Sequence, residues 1–211
     1  MTNLGETSRR DEWGPPIGVI LAGGRGERIG GAKATVELHG KPLICYPLEA
    51  VGRVLDEVVV IAKSDTELPG LPGVTVWMEP HSTHHPLVGL IHAIGLAGGR
   101  PVLICAADLP LVTAEAVQAL VEAELEGAQA VVAASGGRIQ PLLGRYQPSV
   151  PELLGGREIG PDVRVQEAIS ALHPRMLEVG DPEVLFNVNA PDDLLQAAGM
   201  LDRRRYPKVK S

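Results

Sequence analysis

Ile17-Gly18-Val19-Ile20-Leu21-Ala22 runs without a break into Gly23-Gly24-Arg25-Gly26-Glu27-Arg28-Ile29-Gly30-Gly31-Ala32-Lys33, and this passage decides the fold. Six consecutive apolar or small residues with no alternation read as a strand covered on both faces, the condition of a parallel sheet. The glycines that close the run mark a loop. The same alternation repeats outward along the chain. Pro42 opens a helix through about Leu55, Val58–Ile61 is a second apolar strand, and Val74–Trp77 is a third. Leu87–Leu96 reads as a helix, Pro101–Cys105 as a fourth strand, and Thr113 caps a helix to about Glu126. Ala128–Ala134 and Ile139–Tyr146 flank Ser135-Gly136-Gly137-Arg138 as a hairpin. Val163–Leu172 is helical, Met176–Val179 is a late strand, and a last helix, Pro191–Met200, starts at Asn189. Strands alternating with helices predict one doubly wound α/β domain, its sheet mostly parallel, with helices on both faces.

Composition agrees. Hydrophobic residues are 45% and charged residues 21% of 211, enough for a core, and the 3% aromatic content makes that core aliphatic. The expected division is a flexible arm at 1–14, one domain at 15–200, and a basic tail at 201–211. Residues 200–211 hold Arg203, Arg204, Arg205, Lys208 and Lys210 against one acid, Asp202; with −7 overall, the preceding 199 residues carry −11. Such a run reads first as a solvated, frayed terminus, ahead of a phosphate or an acidic partner. The acidic balance argues against nucleic acid as a partner. Cys45 and Cys105 form no CxxC pair and are expected to be buried thiols. The polar first 15 residues show no signal peptide and Ile17–Ala22 is too short to cross a bilayer, so a soluble, cytoplasmic protein with no membrane partner is expected.

In a doubly wound sheet, ligands bind beyond the carboxyl ends of the strands, which selects the positions after Ala22, after Trp77 and after Cys105. Five glycines between Gly23 and Gly31 let backbone N–H groups face an anion, and Arg25, Arg28 and Lys33 add three cations. Phosphate binding is the favoured reading over a surface loop with scattered charge. Two common phosphate motifs fail. A P-loop needs Gly before its Lys and Ser or Thr after it, where Ala32 and Ala34 stand. A dinucleotide fingerprint needs a closer third glycine than Gly30 and an acid where Ala62-Lys63 ends the second strand. Asp108, after the fourth strand, is placed to hold Mg²⁺ against phosphates, with a turn cap as the bland alternative. His81, His84, His85 and His92 lack a zinc-binding pattern and read as polar loop residues. Asn189 reads equally as a helix cap and as a residue facing substrate.

Leu21-Ala22-Gly23-Gly24-Arg25, then Arg28, then Lys33 ahead of Gly40-Lys41-Pro42-Leu43, resembles the signature of the molybdenum cofactor guanylyltransferase family, the MobA-like nucleotidyltransferases. Pro86-Leu87-Val88-Gly89, Ala107-Asp108-Leu109-Pro110, Gln140-Pro141-Leu142 and Phe186-Asn187-Val188-Asn189-Ala190-Pro191 are similar to further segments of that family in the same order. The chain departs from the family at Ala32, usually Asp, at Ile29, usually Met, and at His84-His85, usually small; the acid expected before Pro86 falls at Glu79 or Ser82.

The resemblance implies a Rossmann-like nucleotidyltransferase with Mg²⁺ as cofactor and GTP and molybdopterin as substrates. It implies nucleotide contacts at Leu21, Ala22, Gly23, Gly24, Arg25, Lys33, Glu79, Gly89 and Asp108, catalysis by Lys33, Arg28 and Arg25, and metal binding at Asp108. Gln140, Asn187 and Asn189 would meet the acceptor, and delivery proteins for the cofactor are expected partners. The implied reaction moves GMP from GTP to the phosphate of molybdopterin with release of pyrophosphate. Two alternatives stand beside it: a related enzyme using CTP or UTP on another phosphorylated acceptor, and a non-catalytic nucleotide-binding regulator, which Ala32 and the displaced acid would suit.

Overall fold

The computed structural model describes residues 14–23, 33–79, 85–154 and 162–206. Among them lies a seven-stranded sheet with β1 (Ile17–Leu21), β4 (Val58–Ala62), β5 (Thr75–Met78), β6 (Val102–Ala106), β7 (Ala130–Ser135), β8 (Arg138–Tyr146) and β9 (Arg175–Glu178) in the order β5-β4-β1-β6-β8-β7-β9. β8 runs antiparallel to both its neighbours, and the other pairings are parallel. The doubly wound, mostly parallel fold is what the alternation predicted, and the Gly136-Gly137 hairpin lies where expected, both residues at positive φ.

Helices cover both faces because strand residues alternate between two cores. Ile20, Val60, Leu103, Cys105 and Val131 pack on one side against α1 (Cys45–Gly52) and α3 (Ala114–Glu122). Val19, Leu21, Ile61, Ile104 and Val132 pack on the other against α2 (Pro86–Leu96), α4 (Val150–Leu153) and α5 (Val165–Ser170). β1 is wholly buried, the cost of its polar backbone met by ladders to β4 and β6. Its Gly18 is a close-approach position, since a Cβ there would lie 2.5 Å from Val51 Cγ1 on α1.

A third, smaller core joins a two-stranded sheet, β2 (Glu37–Leu38) and β3 (Lys41–Pro42), to α6 (Pro191–Arg205) through Leu38, Leu43, Val188 and Ala197. This corrects two expectations. Pro42 does not open a helix; it pairs with Glu37 across the His39-Gly40 turn, and the helix begins at Cys45. The last helix does not stop at Met200. It continues to Arg205, so residues 201–205 of the expected tail are helical. α3 ends at Glu122, short of the expected Glu126, which adopts positive φ with Gly127. Residues 1–13 of the expected arm and 207–211 of the tail lie outside the described residues.

Candidate active site

β1 and β6 are adjacent and parallel, so the segments leaving them start side by side: Ala107 N–H donates to Leu21 C=O at 3.0 Å. Asp108 follows at once, and its carboxylate is the hub of the site. Oδ2 accepts from Lys33 Nζ at 2.6 Å and Oδ1 from Asn187 Nδ2 at 3.1 Å. Lys33 Nζ donates a second bond to Asn189 Oδ1 at 2.7 Å, and Gln140 Nε2 donates to Asn187 Oδ1 at 2.6 Å. Residues from well-separated chain segments between 33 and 189 thus form one connected network. Lys33 and Asp108 keep 18% side-chain exposure each, so the pair is open to a ligand.

Each member is delivered by local chemistry. Asp108 leads the turn to α3, whose N-cap Thr113 Oγ1 accepts from Ala116 N–H as predicted. Gln140 sits where the β7–β8 ladder slips, Val132 facing Gly144 but Ala133 facing Gln140, which leaves residues 141–143 bulged out of register. Bulges of this kind turn a side chain toward a site. The buried Tyr146 hydroxyl donates to Pro141 C=O and holds the bulge. Glu178 at the end of β9 accepts from Gly136 N–H at 3.0 Å and Gly137 N–H at 3.1 Å, pinning the hairpin tip. Asn187 and Asn189 alternate along the segment before α6, and Val188 between them is buried and donates its N–H to Asp108 C=O at 3.0 Å. Asn189 is not the cap of α6: Ala190 is, and Asp193 Oδ2 accepts from both Asn189 N–H and Ala190 N–H, leaving the Asn189 amide for Lys33.

A second polar group lies beyond β4 and β5. Glu79 Oε2 is 2.9 Å from Lys63 Nζ, both side chains about one-twentieth exposed. Gly89 of α2 packs directly on the same carboxylate, where a Cβ would come 2.3 Å from Glu79 Oε1 and 3.5 Å from Leu21. Glu79 and Gly89 therefore adjoin each other and β1. Lys63 is the residue the sequence did not single out. Nearby, His85 accepts from Leu87 N–H at 3.2 Å through Nδ1, capping α2, and its Nε2 lies 2.7 Å from Val163 O; His92 Nε2 is 3.1 Å from Met78 O. Gly24, Arg25, Arg28, His81, Ser82 and His84 lie outside the described residues. Leu21 and Ala22 are buried, and Gly23 is exposed with open space where a Cβ would stand.

Known proteins are similar to this chain in sequence and in fold. The family described as "MobA-like NTP transferase domain" matches residues 18–170. A protein of Cereibacter sphaeroides named molybdenum cofactor guanylyltransferase is 33% identical over 190 residues, 88% of this chain and 96% of that relative. The crystal structure of molybdopterin-guanine dinucleotide biosynthesis protein A from Archaeoglobus fulgidus superimposes with a TM-score of 0.64 at 25% identity, covering 88% of this chain and 98% of that one. The fold is wider than one base: 2-C-methyl-D-erythritol 4-phosphate cytidylyltransferase from Thermus thermophilus shares it with a TM-score of 0.62 at 19% identity, over 89% of this chain and 99% of that one.

Proposed function

The chain belongs to the molybdenum cofactor guanylyltransferase family of MobA-like NTP transferases, and on that premise we propose that it transfers GMP from GTP to the phosphate of molybdopterin, with release of pyrophosphate. What carries the reading is the convergence of Lys33, Asp108, Gln140, Asn187 and Asn189 on one network at the carboxyl ends of β1 and β6, where a parallel sheet binds its ligand.

In this mechanism an oxygen of the acceptor phosphate attacks the α-phosphorus of the nucleotide. The bond to the β-phosphate breaks, and its electron pair leaves with pyrophosphate. The acceptor is already an anion at neutral pH, so the protein needs no strong base and works by position and charge. Lys33 supplies the charge: its ammonium, held between Asp108 and Asn189, can turn to the α-phosphoryl oxygens and the departing pyrophosphate. Arg25 and Arg28 have the same task in the glycine loop. Gln140 and Asn187 form the acceptor side.

Mg²⁺ would be held by Asp108. Its Oδ1 accepts only from a neutral amide among the bonds above, and no group of three acids, histidines or cysteines suited to a metal occurs among the described residues. A single carboxylate fits a magnesium ion that takes its other ligands from phosphate and water. When bound, the ion would supply charge neutralisation across the triphosphate.

The base would lie over Leu21–Gly23 toward Glu79 and Gly89. The Glu79 carboxylate, which rests on Lys63 in this structure, would have to turn to the base to accept from two adjacent N–H groups, an edge that guanine presents and cytosine and uracil do not. This favours GTP. Delivery proteins and a cytoplasmic setting belong to the same proposal; among the described residues no helix is long and apolar enough to cross a membrane.

The test is thermal stabilisation by GTP, CTP, UTP and ATP, with and without Mg²⁺. A ligand at 100 times its dissociation constant adds about 2.7 kcal/mol. GTP-selective stabilisation that grows with Mg²⁺, followed by pyrophosphate release with molybdopterin, is the expected result. Selectivity for CTP or UTP would change the product, and no response to any nucleotide would overturn the reading.

A further inference from the structure

Arg203 and Arg204, near the C-terminus, are unused by the mechanism, yet their partners are specific. Arg204 Nη1 donates to Leu111 C=O at 2.7 Å, and Nη2 donates to Asp181 Oδ2 at 2.7 Å. Its Nε lies 3.8 Å from Glu183 Oε2, whose other oxygen accepts from Arg203 Nη2 at 2.7 Å. Leu111 stands three residues beyond Asp108. Asp181 caps the short 3-10 turn Pro182–Leu185, accepting from Glu183 N–H at 2.9 Å, and that turn leads directly into Asn187. One guanidinium therefore bridges the turn that carries Asp108 and the turn that launches Asn187 and Asn189. The same two segments meet on the inside through Val188 N–H and Asp108 C=O.

We propose that Arg204 is a positioning residue for the transfer site: its fork fastens the Asn187–Asn189 segment to the Asp108 turn, so that the asparagines meet Asp108 and Lys33 in register. The residue type matters. A planar guanidinium serves a carbonyl and a carboxylate in two directions at once, whereas an ammonium on a flexible stem is a point charge. The role is local. Partly exposed ion pairs add little to global stability, and Ala197 of α6 is held independently of Arg204 in a buried cluster with Leu38, Leu43 and Val188. Arg203 and Arg204 thus hold the site's last contributing segment, with Asp181 and Glu183 of the same chain as their acidic partners.

The clasp itself does not depend on which group is transferred, and only its catalytic consequence rests on the guanylyl-transfer reading. The test therefore has two arms on the full chain, with Arg204→Gln, Arg204→Lys and the control Arg205→Gln. Amide hydrogen exchange is read first. Local opening at the segment should speed exchange of the Val188 amide by about tenfold or more in both Arg204 variants while β1 and β6 amides keep their protection. Steady-state transfer is read second. A small displacement of contacting groups should lower kcat by about tenfold or more with the nucleotide KM within about twofold. The loss should not multiply when Asn187→Ala is added. Arg205→Gln should match wild type in both arms. Should Arg204→Gln not fold, Asp181→Asn opens the clasp from its other side and carries the same readings. Unchanged Val188 protection in a folded variant overturns the proposal, as does unchanged kcat with faster exchange, or protection lost evenly across the sheet. A wild type inactive with every nucleotide contradicts the transfer reading, and the exchange arm still decides the clasp.

Discussion

Gly89→Ala is the substitution whose sign the structure decides. Position 89 lies inside α2, where alanine is intrinsically better than glycine by about 1 kcal/mol. Taken alone, that predicts a more stable protein. The added Cβ, however, would stand 2.3 Å from Glu79 Oε1, and this oxygen belongs to a carboxylate paired with Lys63 at 2.9 Å with both groups almost fully buried. The carboxylate must leave its place, and with both side chains about one-twentieth exposed little solvent can reach its charge. Losing a buried pair outright costs about 3–5 kcal/mol, so displacing the carboxylate gives a net loss of up to about 2–4 kcal/mol once the helix gain is subtracted. For a chain of this size that is on the order of 10 °C in melting temperature. Urea unfolding followed by circular dichroism reads it directly. Adding Glu79→Asp, which withdraws the carboxylate by one methylene, should recover part of the loss. A folded Gly89→Ala protein as stable as wild type or more so would refute the reasoning, because Glu79 would then be free to move and the pair would not be fixed.

Lys33→Ala and Asp108→Ala should each leave a folded protein and lower transfer by about 10³-fold or more, measured as pyrophosphate release; near wild-type turnover in either would remove its assigned role. Tyr146→Phe strips the donor from the bulge carbonyl of Pro141 and should cost about 1–3 kcal/mol, read by chemical denaturation, with a fall in turnover as Gln140 loses its support. Burial raises the thiol pKa of Cys45, against the pull of Lys41, and raises that of Cys105 far more, with Asp108 adding to it. A thiol reagent should therefore modify Cys45 slowly in the native protein and Cys105 only on unfolding, and fast modification of both would refute this burial. The unfolded chain gives up these thiol protons first, so stability should decline as pH rises above about 8.5, with buried Tyr146, whose pKa is also raised, extending the trend; denaturation midpoints across pH 7 to about 10 would check it.

The parallel half of the fold was legible because a strand buried on both faces cannot hide its pattern: Ile17–Ala22, Val58–Ile61 and Pro101–Cys105 each lie within a residue of β1, β4 and β6. The place to look was legible for the same reason, since strand ends in such a sheet point to one edge and Asp108 follows one of them; Gln140 and Asn187 were singled out only by the family resemblance, and the structure joins them to Lys33, Asp108 and Asn189 in one network. What stayed hidden depended on partners distant in sequence. Lys63 at a strand end reads as a solvated charge until β5 brings Glu79 beside it. Pro42 has the form of a helix start, and only its pairing with Glu37 shows a strand. The arginines of α6 read as a frayed end because Asp181 and Glu183, some twenty residues back, reach them only through the fold.

On the proposed function, the antiparallel β8 gives one site an approach for a second ligand. A sheet that stayed parallel past β6 would send every strand end, and every following loop, toward the nucleotide. β8 reverses direction beside β6, so its ladder can bulge in mid-strand and deliver Gln140 from the side rather than from an end. Gln140 then reaches Asn187, which comes from a segment outside residues 18–170 where the family match lies. The two halves share a single carboxylate: Lys33 approaches Asp108 from the glycine loop, and Asn187 approaches its other oxygen from the far side. A displacement of Asn187 is therefore felt at Asp108, and through it at Lys33. Since the segment carrying Asn187 is clasped by Val188 within and Arg204 without, the geometry at the phosphate depends on residues near the end of the chain as much as on the loop that announces the fold.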